Sequence, residues 1–562
     1  MLARLQSRTT TTTLKTGAFA FKAIQNASAT AFRTSGQLRL DSFLAMARTY
    51  DGALARLASL QSNKAITALF DPPAASTTDN SKPVDLNALA IPEMLGWLER
   101  AGLSASDLAR LRCIHVAGTK GKGSVCAYLT SILTQPSARS VAGLVGTYTS
   151  PHLVTVRERI QLDGRPISQQ LFARYFFEVW DAFTASARSK ATRDSISVSE
   201  EDLEGPGTKP FFFRFLTIMA FHAFLREGVK SAVIECGIGG EYDSTNILPM
   251  EAVTTAVVTQ LGIDHVGMLG GTLPEIAWHK AGICKKDRAC FTRRLAGGDE
   301  QERTMQVLRE RAKAAQARLL EVPDEEVQQW SGVNRSEAAS SLAGSFQKYN
   351  QALAVGAALE HMALLSSSDQ RPDEVSKWLQ DVPGFFKDGL LQAHLRGRCE
   401  TREDNAITWF IDGAHTAESL QGTARWFSSS IGSVSGAQRI LVFNQQDRDV
   451  TKLLQDLLDG IENDSRDTHF DYAIFTTNEF ERAQTDLSPT DTSVQHIAMT
   501  SMKVLSPATD SRVSRSVEEA IRDVRGLANT AEKNGQKTVV LVTGSLHLVS
   551  AFLRCIEPGE DP

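Results

Sequence analysis

The sequence predicts an α/β protein of two domains: a large, mostly parallel sheet flanked by helices, then a smaller α/β domain at the C-terminal side. Three observations carry this expectation. Short apolar runs of strand length alternate with longer helical patterns along the 562 residues. Most of those runs end in a glycine-rich or polar turn. The pattern breaks at Gly384 and Gly389 and resumes at Ile407, which places a boundary between about 385 and 396.

Taken in order, residues 1–40 carry Arg4, Arg8, Lys15, Lys22, Arg33 and Arg39 and no acidic residue. With the hydroxyl-rich run from Thr9 to Thr13, this is the composition of a mitochondrial transit segment, which we set at 1–45. Met46 offers a second start, so a mitochondrial form, in the matrix or at the inner membrane, and a cytoplasmic form are both expected. A helical pattern with Leu54, Leu57 and Leu60 follows. Residues 72–90 read as a loop, and a helix is expected from Pro92 to Ala101.

The stretch from Cys113 to Leu133 is the most informative. An apolar strand, Cys113 to Ala117, runs into a loop with Gly118, Gly121 and Gly123 around Lys120 and Lys122. Ser124 then opens an amphipathic helix. Strand, glycine loop and helix make a phosphate cradle: backbone N–H groups approach anionic oxygens, and the helix N-terminus adds partial positive charge. Lys122 would reach outer phosphates and Ser124 would stand near magnesium. Gly123 separates the lysine from the serine, so the spacing departs from the standard P-loop. The larger domain, 46–390, is therefore expected to be P-loop NTPase-like.

A second strand is expected at Val141–Gly146, running into the turn Thr147 to Leu153, and a further strand at Val156–Ile160. Residues 184–209 read as a surface insertion, and the run Phe212–Arg226 as a core helix. Ser231–Cys236 is a strand that ends in Glu235, a natural magnesium ligand beside a nucleotide loop. Val253–Thr259 leads to His265 at another strand end. Lys280 lies among Ile276, Ala277, Ala281 and Ile283, so it either snorkels to the surface or points into a site. A strand at Ala289–Thr292 and helices at Gln301–Ala317 and from Ser345 complete this part.

Residues 391–562 are expected to form a Rossmann-like α/β domain. Strands at Ile407–Ile411, Arg439–Phe443, Tyr472–Thr476 and Thr538–Val542 each end in a polar turn, the first carrying Asp412 and His415. Residues 484–516 read as an insertion.

Composition narrows the function. A net charge of −5 argues against nucleic acid as the main partner. No apolar run approaches the ~20 residues that span a bilayer. Seven scattered cysteines with no C-x-x-C pair argue against a disulfide framework or a cysteine zinc site.

Several segments together resemble the folylpolyglutamate synthases, within the ATP-dependent amide ligases that include the cell-wall Mur ligases. They are HVAGTKGKGS from His115, TSPHL from Thr149, ERIQLDG from Glu158, ECGIGGEYDSTNIL from Glu235 and LGIDHVGMLGGTLPEIAWHKAGI from Leu261. GRCE from Gly397, DGAHTAES from Asp412, FNQQDRD from Phe443 and TGSLHLV from Thr543 continue the series. Two departures stand out. The usual G-x-H-Q is Gly344-Ser-Phe-Gln347, and the usual W-P-G-R keeps only Gly397-Arg398.

The resemblance implies ATP-dependent addition of L-glutamate to a tetrahydrofolyl-polyglutamate through an acyl phosphate. It implies that Gly118, Gly121, Lys122, Gly123 and Ser124 hold phosphates, with Arg398 and Asp412 closing on ATP from the second domain. It implies metal ligation by Ser150, Glu235 and His265, and catalytic parts for Lys122, Lys280 and His415, with Lys280 matching a lysine carbamylated in several relatives. The implied cofactors are ATP and Mg2+, with a monovalent cation such as K+ as a further candidate. The implied partners are reduced folate and L-glutamate, acting on a monomer. Two alternatives remain open at this point: dihydrofolate synthase chemistry on dihydropteroate, and a P-loop ATPase that couples hydrolysis to conformation.

Overall fold

The structure is a computed structural model that describes residues 48–60, 86–295, 297–330, 332–333, 342, 346–368, 375–431, 436–446, 448–462, 469–479 and 491–557. The expected transit segment, Met46 and most of the 72–90 loop lie outside these residues. Residues up to Ser59 form a unit of their own, of which the helix Tyr50–Ala58 is described; Thr49 caps it by accepting from the Gly52 N–H.

From Leu60 onward the chain builds two sheets. The first has eight strands: β1 (Arg112–Ala117), β2 (Val145–Tyr148), β3 (Ile160–Leu162), β4 (Arg165–Pro166), β5 (Ser231–Glu235), β6 (Val253–Val258), β7 (Ala289–Arg294) and β8 (Arg318–Pro323). Their order is β4-β3-β2-β5-β1-β6-β7-β8. Pairing is parallel from β2 through β8, and only β3 and β4 add antiparallel contacts at one edge. β5 and β6 are buried at every position, which is why they read as continuous apolar runs rather than alternating ones. Helices Lys122–Leu133 and Gln347–Leu365 pack together over β1, β5 and β6, sharing a core with Ile114, Val116, Val233, Val257 and Phe291.

The second sheet has six strands: β9 (Glu400–Asp404), β10 (Ile407–Ile411), β11 (Gln438–Phe443), β12 (Tyr472–Thr476), β13 (Asp510–Ser514) and β14 (Thr538–Thr543). Their order is β13-β12-β11-β14-β10-β9, parallel except for β9 against β10. Helix Gly384–Gln392 still packs on the first sheet's core, and Glu400 opens the second sheet. In both sheets the central parallel strands deliver their carboxyl ends to loops, where open α/β sheets place ligands.

Several local expectations are corrected. Val141–Gly146 is not one strand: Arg139–Ala142 is a helical turn, and β2 starts at Val145. Gly143 makes the break at φ 66°, a conformation open to glycine, against the Lys230 side chain. Val156–Arg159 is a 3-10 turn rather than a strand, because the Glu158 carboxylate takes the N–H groups of Leu153, Val154 and Thr155, each at 2.9 Å. The expected insertion at 184–209 begins as the end of helix Gln169–Arg193 and includes buried Leu203 and Lys209. The expected insertion at 484–516 contains helix Ser493–Leu505 and strand β13, which is part of the sheet. The helix expected from Pro92 runs over Leu86–Arg100 with Pro92 inside it. Strands β4, β8 and β9 have no counterpart among the strands expected from the sequence.

Candidate active site

A cavity of about 1350 Å³ lies where the strand ends of the two sheets meet. Its wall takes in the glycine loop and the turn after β2. It also takes in Glu235 and the turn after β5, the loop from Gln260 to Leu269, Gln347 and Asn350. The second sheet adds Arg396, Arg398, Asp412, His415, Glu418 and Arg448.

The cradle is built by backbone constraint. A Cβ at Gly118, where φ is 152°, would overlap the Thr259 hydroxyl. The same hydroxyl donates to the Lys120 carbonyl at 2.7 Å, while Gln260 O accepts from the N–H groups of Thr119 and Lys120 at 2.9 and 3.1 Å. Those two amides are spent on the loop itself. Gly121 caps the helix at φ 86°, and Val125 N–H makes the first helical bond, to Gly121 O. The N–H groups of Lys122, Gly123 and Ser124 form the open helix terminus, which carries partial positive charge. Lys122 Nζ rests 3.0 Å from Gly118 O, folded back over the loop. Gln347 Nε2 reaches Ser124 Oγ at 3.4 Å and Asn350 donates to Gln347 at 2.8 Å, which joins the helix Gln347–Leu365 to the cradle.

Glu235 is 3% exposed. Its Oε2 accepts the Ser150 N–H at 3.0 Å, across a turn that carries a cis Ser150–Pro151 bond. Burial raises its pKa; Lys122, the Ser150 hydrogen bond, Arg398 and Arg159 pull the other way. Three cationic side chains thus favour its ionised form against burial. The neighbouring Asp243 holds the glycine turn, accepting from the N–H groups of Gly237, Ile238 and Thr245 at 2.9, 3.0 and 2.9 Å.

The second sheet contributes charge and a histidine. No hydrogen bond or ion pair occupies the Arg398 guanidinium among the described residues. His415 Nδ1 lies 3.0 Å from Gly413 O; a carbonyl only accepts, so Nδ1 carries the proton and Nε2 presents a lone pair. Burial lowers the His415 pKa, which favours the neutral ring. The two sheets also touch through charge: Lys120 pairs with Glu418, which accepts from Gln260 at 2.8 Å, and Arg448 stands 4.0 Å from Asp264.

Not every residue singled out in the sequence reaches the cavity in the same way. Gly121, Lys122, Gly123, Ser124, Ser150, Glu235, His265, Arg398 and His415 all line it. Gly118 shapes the loop from beneath. His265 has φ 50° and stands 3.9 Å from Asp264 Oδ2, with nearly half its side chain open. Asp412 lines the cavity, but its two oxygens accept from Cys399 N–H, Ala414 N–H and the Thr423 hydroxyl at 2.8, 2.9 and 2.9 Å. Its carboxylate therefore fixes the turn that presents Arg398. Lys280 is 2% exposed and lies behind the glycine turn, its backbone against Gly240, outside the cavity lining. Burial first, then the Lys122 charge, lowers its amine to about 7.

Comparison with known proteins decides the family. The folylpolyglutamate synthase of Neurospora crassa is 37% identical over 537 residues, spanning 92% of this chain and 92% of that protein. The chain belongs to the folylpolyglutamate synthase family. A folylpolyglutamate synthase of Saccharomyces cerevisiae is likewise 37% identical, over 90% of this chain and 86% of that one. Residues 395–555 match the family model described as dihydrofolate synthetase, C-terminal domain. The fold is shared with the folylpolyglutamate synthase of Mycobacterium tuberculosis complexed with ADP, at TM-score 0.58 and 24% identity over 91% of this chain and all of that one. The Thermotoga maritima folylpolyglutamate synthase gives TM-score 0.56 and 22% identity, covering 84% and 94% of the two chains.

Sequence reasoning missed Lys120, Glu418, Gln260 and Arg448 as contacts between the sheets. Arg448 stands inside a quoted motif, so its place after a strand end was the available signal. Glu418 likewise stands inside the DGAHTAES motif, but its pairing with Lys120 was not legible because the two are 298 residues apart.

Proposed function

We propose that this chain is an ATP-dependent ligase that adds L-glutamate in γ-linkage to a reduced folate or its polyglutamate. The observation that carries the reading is the convergence of the glycine loop with Lys122, the buried carboxylate of Glu235 and Arg398 from the second sheet on the wall of one cavity.

The chemistry follows from the groups present. The open N–H groups of Lys122, Gly123 and Ser124, with the Lys122 amine and the free Arg398 guanidinium, hold the ATP phosphates and neutralise charge during transfer. An oxygen of the folate γ-carboxylate attacks the terminal phosphorus, ADP departs, and an acyl phosphate forms on the folate. The amine nitrogen of glutamate then attacks the acyl carbon, the C–O bond to phosphate breaks and phosphate leaves. The attacking nitrogen must shed a proton, and His415 Nε2, whose lone pair is left free by the Nδ1 bond to Gly413 O, is the proposed acceptor. A cavity walled by both sheets limits the access of water to the acyl phosphate.

Among the described residues no group of three His, Cys, Asp or Glu side chains exists that would cage a metal. Glu235 with the hydroxyls of Ser150 and Ser124 suits a magnesium ion that arrives on nucleotide phosphates and keeps several waters. That ion would supply further charge neutralisation at the phosphates. His265 is the proposed ligand of a second ion. The neutral amine of buried Lys280 is the form that reacts with carbon dioxide, which supports a carbamate there.

A second reading, dihydrofolate synthase activity, is favoured by the family model matched at 395–555. One experiment tests both: labelled glutamate incorporation and ADP release against a panel of dihydropteroate, tetrahydrofolate and its polyglutamates. Incorporation on tetrahydrofolate supports the first reading; incorporation on dihydropteroate alone replaces it. ATP turnover without glutamate would leave only a conformational ATPase.

We also infer mitochondrial and cytoplasmic forms. The support is the acid-free basic composition of residues 1–40 and the position of Met46. Mapping the N-termini in separated organelle and cytosol tests this; a single common N-terminus in both would remove it.

A further inference from the structure

We propose that Phe346 is the platform on which the purine base of the nucleotide stacks, an inference that rests on the ATP-dependent reading of the cleft. Phe346 is 43% exposed, yet it lines the cavity rather than the outer surface. A large aromatic face left open inside a concave polar site is a surface awaiting a flat apolar partner.

Its place relative to the cradle limits what that partner is. Gln347, the next residue, touches Ser124 Oγ at 3.4 Å, and consecutive Cα atoms are about 3.8 Å apart. Phe346 therefore enters the cavity at the start of the helix whose Gln347 is hydrogen-bonded to the cradle. The folate carboxyl has to meet the outer phosphate, which Lys122 and Glu235 mark. The base is the part of the substrates that lies at the opposite end of the phosphate chain.

The second sheet completes the slot. A Cβ at Gly422, on helix Ala417–Ile431, would lie 3.8 Å from Phe346 Cε1, so the ring edge leans on a position without a side chain. The same helix brings Arg425 and Ser419 to the cavity wall, where planar and hydroxyl donors can meet the ring nitrogens of a base. The sequence adds its own point. In the family motif this position is histidine, and phenylalanine gives a larger face that never carries charge. Base stacking would thus span both sheets, so bound nucleotide would favour their apposition.

The test uses the full chain with Phe346→Ala and Phe346→Trp. ADP binding is read by calorimetry, and initial rates are taken with ATP and UTP, varying ATP and folate separately. Phe346→Ala should weaken ADP roughly tenfold, as loss of one stacking ring does. The KM for ATP should rise similarly, with kcat at saturation and the folate KM within about twofold. The preference for ATP over UTP should shrink, and Phe346→Trp should restore all three. Unchanged ADP affinity in a folded Phe346→Ala variant overturns the proposal. A rise in folate KM with ADP affinity unchanged also overturns it and assigns the ring to the pteridine instead. Failure of the ligase reading would show separately, as absence of glutamate incorporation by the unmodified chain.

Discussion

The backbone N–H of Ser150 donates to Oε2 of Glu235 at 3.0 Å, and this bond ties the turn after β2 to the end of β5. Three residues on, Leu153 and Val154 leave the first sheet and bury in the core of the second, against Val549 and Trp409. The Ser550 hydroxyl donates to Leu153 O, and a Cβ at Gly397 would meet Leu153 and Val549 side chains at 2.8 Å. The strap that orients the Glu235 carboxylate is thus anchored in the sheet that presents Arg398.

Glu235→Gln keeps the shape and removes the charge. Glutamate incorporation should fall by about 10²-fold or more, with partial recovery at high magnesium. Burial raises the Glu235 pKa in the folded state, so the folded protein binds this proton more readily than the unfolded chain. The stability it contributes is present below the unfolded pKa and lost as pH rises through the folded one. The variant should therefore unfold at the same temperature as the parent, or higher, at pH 7, with the difference vanishing in acid. Activity loss accompanied by unfolding would return Glu235 to a purely structural part.

Lys122→Ala should remove nearly all incorporation, roughly 10²–10³-fold, while leaving circular dichroism and the unfolding temperature close to the parent. Lys122 lines the cavity, and its amine donates to the Gly118 carbonyl at 3.0 Å. Activity near the parent level would refute the cradle assignment.

Lys280→Met tests the buried amine. Its folded pKa is lowered to about 7, so between that value and the unfolded pKa only the unfolded chain takes up the proton. Lysine therefore costs stability increasingly as pH falls from above 10 toward 7. Methionine of similar length should be more stable at pH 7 by up to roughly 4 kcal/mol, with the gap closing by pH 10.5. Urea unfolding at both pH values measures it. Labelled bicarbonate giving a carbamate signal on the parent, and none on the variant, would establish the modification. With a carbamate in place the pH gap should shrink.

Leu153→Ala should cost about 2–4 kcal/mol, because it opens a cavity in the second sheet's core. Incorporation measured well below the unfolding transition should also fall, since the Ser150 turn loses its anchor. A stability loss with full activity in the folded fraction would show that the strap does not position Glu235.

Gly118→Ala should weaken ADP binding severely and lower stability. The new methyl would overlap the Thr259 hydroxyl at a φ that side chains rarely adopt. Thr259→Ala added to it should recover part of the loss, the remainder being backbone strain and the lost bond to Lys120 O. Wild-type ADP affinity in the single variant would contradict the cradle geometry.

Much of this was legible in the chain because it is local. The apolar runs of β1, β5, β6 and β14, the glycines of the cradle, and the polar strand ends are patterns within a few residues. They reflect backbone conformation and two-sided burial, so a single sequence displays them. The 484–516 stretch was misread for the converse reason: its Ser, Thr and Asp content suits a loop, and only pairing with β12 turns Asp510–Ser514 into an edge strand.

The sequence by itself determined an α/β fold, a glycine loop opening a helix at 118–124 and Glu235 at a strand end, since each is written in neighbouring residues. Tertiary structure alone decided which strand ends share a cavity. It also decided that Asp412 serves the backbone, that Lys280 stands behind the turn, and that Leu153 belongs to the second sheet's core. Those outcomes depend on contacts between residues hundreds of positions apart, where burial and hydrogen-bond satisfaction are settled by packing rather than by local periodicity.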